Sequence, residues 1–224
     1  MTLASPPLRA SEPCTPPPVR RSVVLSGISW SLYQSMLAEI RNGAVRLTYD
    51  HGWLEIMTLS PLHEKVKKTL ARLIEAYADS EAIDVEGFGS TTFNREELQR
   101  GLEPDECYYV AHAADVANKS RLDLAVDPPP DLAVEVDISP PDIAKQPIYA
   151  ALGVPEVWRY DGQRVTPLHR TSDRYIEAEK SIAFPNLPMD RLNEFLSIGM
   201  ASGQSAAVRA MRKWLRGADA AEGD

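Results

Sequence analysis

The sequence predicts one domain of the mixed α/β (α+β) class, in which short strands and helices are interspersed along the chain. Apolar residues recur at helical spacing over residues 61–80, and they alternate at strand spacing over residues 131–138. Short β-branched and aromatic runs lie before, between and after these two segments. At 224 residues, with 44% hydrophobic and 25% charged residues, the chain has the size and composition of a globular domain with short appendages.

Composition and charge limit the classes of function. The net charge of −8 argues against a protein that coats nucleic acid broadly, although a local basic patch can still contact a phosphate backbone. The two cysteines, Cys14 and Cys107, provide no disulfide framework, so we expect reduced thiols. No stretch approaches about 20 apolar residues, and the N-terminus lacks the apolar core of a signal peptide. We therefore expect a cytoplasmic protein that does not contact membranes.

The first quarter of the chain is predicted to contain a tail, a strand, a helix and a hairpin. Residues 1–20 are rich in Pro, Ser and Thr and are interpreted as a flexible tail without chemistry of its own. A short strand over residues 23–25 precedes a serine-capped helix that ends at Ile40. Residues 45–49 and 53–57 then alternate like strands across an Asp-His-Gly turn, which predicts a hairpin.

A long amphipathic helix is predicted from Pro61 onwards. His63 continues its apolar stripe and therefore faces the body of the protein, while Glu64 lies about 100° further round the helix, near one edge of the stripe. The ordinary interpretation of His63 is a hydrogen-bonded core histidine. Glu64 is equally typical of a first helical turn, where the helix dipole favours an acid. Neither residue identifies a site by itself.

The middle of the sequence places one acidic residue at the start of a strand. Residues 83–89 and 92–94 are predicted strands, and an aromatic and β-branched run predicts another over residues 106–110. Asp105 stands immediately before this run and directly after a proline. Residues 111–129 are loop-like, and their closing prolines stiffen the approach to the next strand.

The segment PDLAVEVDI, residues 130–138, is predicted to be an acidic strand. Strand side chains alternate between two faces, so the apolar residues line one side and Asp131, Glu135 and Asp137 line the other. Like charges held together near an apolar core repel one another and need a cation, unless this face is open to solvent. The cation can be a divalent metal ion, the ammonium of Lys145 downstream, or both.

The segment after the acidic strand is predicted to be a short helix that carries Lys145. Pro140 and Pro141 suit its start and Gly153 its end, while Pro147 shortens or kinks it. Further strands and two helices are predicted at residues 157–160, 164–169, 175–178, 189–198 and 206–216.

The last predicted helix has a basic face. Its members are Arg209, Arg212, Lys213 and Arg216. This face is either a DNA contact or, more simply, a solvated helix surface. With this helix set apart, we divide the chain into a tail at residues 1–20, a core domain at residues 21–200 and a basic amphipathic helix with its tail at residues 201–224.

Asp105, Glu135 and Lys145 form the candidate site. Mg²⁺ takes oxygen ligands in octahedral geometry, and two carboxylates with a substrate phosphate and waters suffice to bind it. Asp105 and Glu135 fit this role, and Asp137 is a third acid beside them. Lys145 can orient the attacking water, help to remove its proton, or offset charge that grows on the phosphate. The pattern fits metal-assisted hydrolysis of a phosphodiester, although each residue also has a structural interpretation.

Three segments carry a family resemblance by their order and spacing: LTYDHGWLEIMTLSPLHEKV, GLEPDECYYV and PPPDLAVEVDISPPDIAKQPIYAALGVPEVWRYDG. With them, the chain resembles the Uma-two family of endonucleases, within the PD-(D/E)XK nuclease superfamily, from about residue 29 to residue 187. The resemblance implies a restriction-endonuclease-like core, in which a helix precedes a mixed, mostly antiparallel central sheet flanked by helices. It also implies Mg²⁺ or Mn²⁺ held by acidic residues.

By position, the resemblance implies that Asp105 is the first motif acid and Glu135 the second, and that His63 and Glu64 lie on the helix that approaches the site. The lysine that the superfamily pattern places two residues after the glutamate is absent here, and Lys145 looks like its relocated replacement. The expected catalytic residues are therefore Asp105, Glu135, Lys145, Glu64 and His63, and the expected metal ligands are Asp105, Glu135 and Asp137.

We therefore expect a metal-dependent DNA endonuclease. The superfamily resemblance and the aromatic pair Tyr108 and Tyr109 also suggest a homodimer. One alternative is a non-catalytic binding or scaffold module that keeps the fold and a vestigial acidic site. The other is a hydrolase of small phosphodiesters or nucleotides, which the acidic net charge does not exclude.

Overall fold

The structure, a computed structural model, describes residues 22–40, 45–139 and 141–222. The predicted tail at residues 1–20 lies outside this part of the chain, and the division into domains stays a prediction. The strands are β1 (Ser22–Leu25), β2 (Val45–Asp50), β3 (Trp53–Thr58), β4 (Glu86–Gly87), β5 (Phe93–Arg95), β6 (Arg100–Leu102), β7 (Glu106–Tyr109), β8 (Leu132–Val136), β9 (Glu156–Tyr160), β10 (Val165–Arg170) and β11 (Tyr175–Glu177). The helices are α1 (Trp30–Glu39), α2 (Pro61–Ser80), α3 (Ala113–Val116), α4 (Gln146–Leu152), α5 (Met189–Ser202) and α6 (Gln204–Glu222).

The first sheet joins its strands in the order β1-β3-β2-β6-β5, and all of its pairings are antiparallel. β2 and β3 form the predicted hairpin, with His51 and Gly52 at its tip. Both residues have positive φ, 48° and 87°, as a two-residue type I′ turn requires at both central positions. Tyr33 of α1 stacks on Tyr49 of β2 with ring centroids 4.8 Å apart, so α1 covers this sheet.

The second sheet has the strand order β11-β10-β9-β8-β7-β4. Its pairings are antiparallel except between β8 and β9, which run parallel. A parallel pair needs a crossover connection, and α4 supplies it between these two strands. The mixed, mostly antiparallel sheet that the family resemblance implied is therefore confirmed, and a separate first sheet accompanies it.

The second sheet is buried on both faces. On one face, α2, α5 and α6 pack against Val134 and Trp158. On the other face, α4 and the first sheet contribute Tyr149 and Phe93 to a cluster that includes Ala133. Every residue of β8 is buried, so the carboxylate on this strand is not solvated as it would be on an open sheet.

Three local predictions were wrong in detail. The helix expected to begin at the proline pair begins at Gln146 instead, because the amides of Asp142 and Ile143 donate to the side chain of Glu55 rather than opening a helix. Pro140 itself lies outside the described residues. Strand pairing near residues 83–89 is limited to β4, and the segment expected to be loop contains the short helix α3.

The two C-terminal helices form as predicted, and both are longer than expected. Met211 and Leu215 of α6 are buried. The basic residues Arg209, Arg212, Lys213 and Arg216 are exposed. The helix therefore has the predicted orientation, while DNA contact by its basic face stays a prediction. In the part of the chain that the structure describes, no helix is both long enough and apolar enough to cross a membrane.

Candidate active site

Asp105 lies at the start of β7 and is 1% exposed. Its Oδ2 accepts hydrogen bonds from the backbone N–H of Val136 at 2.8 Å and from His63 Nε2 at 3.0 Å. Its Oδ1 is buried and has no hydrogen-bond partner among the described residues. Burial alone would raise the pKa of Asp105, but the hydrogen bond from His63 and the charge of Lys145 outweigh burial and hold the pKa below its ordinary value.

His63 reaches Asp105 because of the way that α2 begins. Ser60 caps the helix by accepting from the backbone N–H of His63 at 3.0 Å, and Pro61 occupies the first helical position. An ionised carboxylate only accepts hydrogen bonds, so Nε2 of His63 carries the proton in this contact. His63 Nδ1 lies 3.6 Å from Oε1 of Glu64, whose side chain is 43% exposed. Glu64 thus contacts His63 at the outer side of the site.

The surroundings of Glu135 raise the pKa of its carboxyl well above the ordinary value. Its Oε2 accepts a hydrogen bond of 2.6 Å from the Lys145 ammonium, and its Oε1 accepts one from the hydroxyl of Tyr149. Burial raises the pKa of the Glu135 carboxyl to about 7; the ammonium opposes this rise, and the charges of Asp105 and Asp137 add to it. Glu135 is therefore an acid whose charge changes near neutral pH.

Lys145 occupies the N-cap position of α4 rather than its interior, and its side chain is buried. Burial would lower the pKa of its ammonium, but the charges of Glu135, Asp105 and Asp137 raise the pKa above its ordinary value. The chain thus brings a lysine to Glu135 from the start of the following helix. In the place where the superfamily pattern has a lysine, Asp137 lies partly buried, with its pKa raised chiefly by burial.

Sequence reasoning missed two residues that hold this arrangement together. Tyr149 lies four residues after Lys145, which places both side chains on one side of the helix start. Glu55 of β3 is 1% exposed and accepts from the backbone N–H groups of Asp142 and Ile143 at 3.1 and 3.3 Å. The sequence gives no signal for Glu55, because a charged residue between the apolar Leu54 and Ile56 is the ordinary pattern of a strand with one solvated face.

Asp131, the first acid of the acidic strand, does not join the site. Its carboxylate accepts from the backbone N–H groups of Val110 and His112 and pairs with the His112 ring at 2.7 Å. Asp131 therefore links the two ends of the loop that precedes β8.

A cavity of about 430 Å³ opens beside Glu135. Its polar lining includes Glu135, Asp137, Asp142, Lys145, Gln146 and Arg159. Asp105 and His63 are not in this lining, and both are buried. The charges of Asp105, Glu135 and Lys145 therefore shift one another's pKa, and His63 is hydrogen-bonded to Asp105. Of these four residues, Glu135 and Lys145 line the cavity.

Some oxygen atoms of the site residues are suitable ligands for a hard divalent ion. The unpartnered Oδ1 of Asp105 and the second lone pairs of the Glu135 oxygens are the oxygen ligands that Mg²⁺ or Mn²⁺ prefers. Among residues 22–40, 45–139 and 141–222, no group of three or more His, Cys, Asp or Glu side chains is arranged to hold a metal ion. A site of two carboxylates completed by waters and phosphate remains compatible with these residues.

Comparisons with known proteins identify the family. No curated protein matches the chain. A solved chain from Anabaena variabilis ATCC 29413, described as a "putative nuclease belonging to DUF820", matches with 13% identity and a TM-score of 0.48, over 72% of this chain and 97% of that chain. The family model described as "Putative restriction endonuclease" matches residues 30–200, which include every candidate site residue. The chain belongs to the Uma2 family.

Proposed function

We propose that this chain is a metal-dependent endonuclease that hydrolyses DNA phosphodiester bonds. The observation that carries the proposal is the convergence of Asp105, Glu135 and Lys145, three buried charged side chains whose charges shift one another's pKa. Burying such a group is unfavourable compared with apolar packing, and strongly perturbed carboxylates beside a cavity are typical of functional sites. Membership of a family described as restriction endonucleases supports the same reaction class.

Asp105 and Glu135 are the residues that would hold Mg²⁺ or Mn²⁺, with Asp137 next to them in the cavity wall. When bound, such an ion polarises the phosphate and lowers the pKa of a coordinated water. Glu135 must be ionised to act as a ligand, and the nearby ammonium of Lys145 favours that state.

Lys145 would act as a fixed positive charge. The three carboxylates raise the pKa of its ammonium, so it stays protonated at neutral pH and is poorly suited to take a proton from water. Its contact with Glu135 holds the ammonium at the cavity wall, where it would stabilise the charge that develops on the phosphate. Of the three roles open to this lysine from the sequence, the geometry thus favours charge stabilisation.

His63 and Glu64 would serve the site through Asp105. His63 donates to Oδ2 of Asp105 and leaves Oδ1 available. The carboxylate of Glu64 lies 3.6 Å from His63 Nδ1 on the opposite side of the ring, without a hydrogen bond, and would favour a positive charge on the ring. We assign both as positioning residues.

Plasmid cleavage tests the proposal. Purified protein is incubated with supercoiled plasmid and with single-stranded DNA in Mg²⁺, Mn²⁺ or EDTA, next to Glu135→Gln and Asp105→Asn prepared in the same way. Glu179→Gln is the matched control because Glu179 is exposed. We expect cleavage only with the metal ions, kept by the control and reduced at least 100-fold in both site variants. Equal cleavage by the original chain and Glu135→Gln would refute the proposal.

A non-catalytic binding or scaffold module is the second candidate. It is favoured by the absence, in the described part of the chain, of an arranged group of three metal-binding side chains. It is also favoured by the two donors that already engage the oxygens of Glu135. Calorimetric titration with Mn²⁺ separates the two candidates: binding that disappears in Asp105→Asn supports the nuclease, whereas no binding favours the module. Turnover of a chromogenic phosphodiester without DNA cleavage would instead indicate a small-molecule hydrolase.

The predicted homodimer stays a prediction with less support than before. Tyr108 and Tyr109, the aromatic pair that suggested an interface, are 1% and 0% exposed and pack inside the protein. The prediction now depends on the superfamily resemblance, and light scattering at high protein concentration tests it.

A further inference from the structure

We propose that Arg159 forms a phosphate-binding site in the wall of the cavity beside Glu135. The inference rests on the proposed function and deepens it, because it names the side chain that would hold a phosphodiester of the substrate. Arg159 has no counterpart among the site residues predicted from the sequence.

The register of the second sheet places Arg159 next to Glu135. Residues 135 and 159 are partners in the parallel pairing of β8 with β9, so their side chains project from the same face of the sheet. Val157, two residues earlier on β9, packs in the cluster that contains α4, which identifies this face as the one that carries Lys145 and Tyr149. Arg159 therefore lines the same cavity as the motif glutamate.

The guanidinium of Arg159 has hydrogen-bonding capacity to spare. Its Nε is buried and has no hydrogen-bond partner among the described residues. Nη2 lies 3.9 Å from Oε1 of Glu177, which is beyond hydrogen-bonding distance, and the Glu177 side chain is 66% exposed. An exposed ion pair of this kind is weak, so a ligand would displace it at little cost.

The donors of Arg159 and the proposed function, rather than the net charge of the cavity lining, indicate the ligand. Glu135, Asp137 and Asp142 contribute negative charge to the lining, and Lys145 and Arg159 contribute positive charge. The ammonium of Lys145 is engaged by Glu135. Within this lining, Arg159 is therefore the cation with uncommitted donors, and its planar fork matches two oxygens of a phosphate. The ligand is a phosphodiester monoanion.

Titration with dimethyl phosphate tests this site without any cleavage step. The full chain is kept in EDTA, and the Arg159 Nε–H signal is followed in ¹H–¹⁵N spectra and assigned with Arg159→Gln. Arg174→Gln is the control, since Arg174 is exposed in the turn between β10 and β11 and lies outside the cavity lining. Arg159→Lys keeps the positive charge but removes the planar pair of guanidinium donors.

We expect a saturable shift of the Arg159 signal in the original chain. Affinity for dimethyl phosphate should fall at least 10-fold in Arg159→Gln, by a smaller factor in Arg159→Lys, and not at all in Arg174→Gln. Absence of a saturable shift in the original chain, or equal affinity in Arg159→Gln, would overturn the proposal even if plasmid is cleaved. Binding that depends on Arg159 in a protein that cleaves no DNA would support this site and refute the nuclease.

Discussion

Replacing Glu135 with glutamine should change how the stability of the protein depends on pH. The carboxyl of Glu135 is buried with Asp105 and Asp137 nearby, and these surroundings raise its pKa to about 7 from an ordinary value of 4.5. A group whose pKa is raised by folding contributes fully to stability below its unfolded pKa and loses that contribution as pH rises through the folded pKa. Glutamine has no charge to lose or gain, so Glu135→Gln lacks this dependence.

The size of the effect follows from the two pKa values. One pKa unit corresponds to about 1.4 kcal/mol, so a rise from 4.5 to about 7 amounts to about 3 kcal/mol. The unfolding free energy of the original chain should therefore fall by about 3 kcal/mol relative to Glu135→Gln between pH 4.5 and pH 8. In the original chain Lys145 does not titrate in this range, because the charges of Glu135, Asp105 and Asp137 raise its pKa above the ordinary lysine value.

Urea denaturation followed by tryptophan fluorescence measures the effect. Curves at intervals between pH 4.5 and pH 8 are compared for the original chain, Glu135→Gln and Glu179→Gln, in which the replaced glutamate is exposed. Taking the difference between proteins removes the contributions of titrating groups that do not interact with Glu135. A difference for Glu135→Gln that stays constant with pH would show that Glu135 titrates as an ordinary glutamate, and the electrostatic account of the site would fail.

Three further predictions concern the site. Mn²⁺ affinity should rise from pH 6 to pH 8 with release of about one proton per ion bound, and it should be lost in Asp105→Asn. Calorimetric titration in two buffers measures both the affinity and the number of protons released. Glu55→Ala leaves the buried amide of Ile143 and the part-buried amide of Asp142 without their acceptor, so urea denaturation should show a loss of about 1–3 kcal/mol. No loss would mean that the loop before α4 is held by other contacts. Lys145→Met should reduce the rate of DNA cleavage about 100-fold or more. If only the amine is missing, the double variant Lys145→Met with Asp137→Lys should cleave at least 10-fold faster than Lys145→Met alone.

The sequence predicted the elements that local chemistry defines. The β2–β3 hairpin follows from its turn residues, α2 from its apolar stripe and its proline at the first turn, and β8 from its alternating pattern. The buried orientation of His63 also followed from helical spacing alone, and its hydrogen bond to Asp105 is the satisfied contact that a buried ring needs. These features depend on residues close together in the chain.

Contacts between distant segments were not predicted. Glu55 and the amide of Ile143 are 88 residues apart, and no local pattern indicates that a hairpin strand supplies an acceptor to the loop before α4. The pairing of Glu135 with Arg159 likewise depends on the parallel register of β8 and β9, which hydrophobic alternation does not specify. Two-residue strands such as β4 exist only because a neighbour pairs with them, so their own sequence carries little signal.

The segment that carries the lysine determines how the candidate site is coupled to the rest of the fold. A lysine two residues after Glu135 would be placed by the same strand as the glutamate, and their separation would be fixed by strand geometry alone. Lys145 instead comes from a loop whose backbone is held by Glu55 of the first sheet, while Tyr149 holds the other oxygen of the glutamate from α4. The distance between ammonium and carboxylate therefore depends on the docking of the two sheets, and a change that loosens the first sheet reaches the site through Lys145.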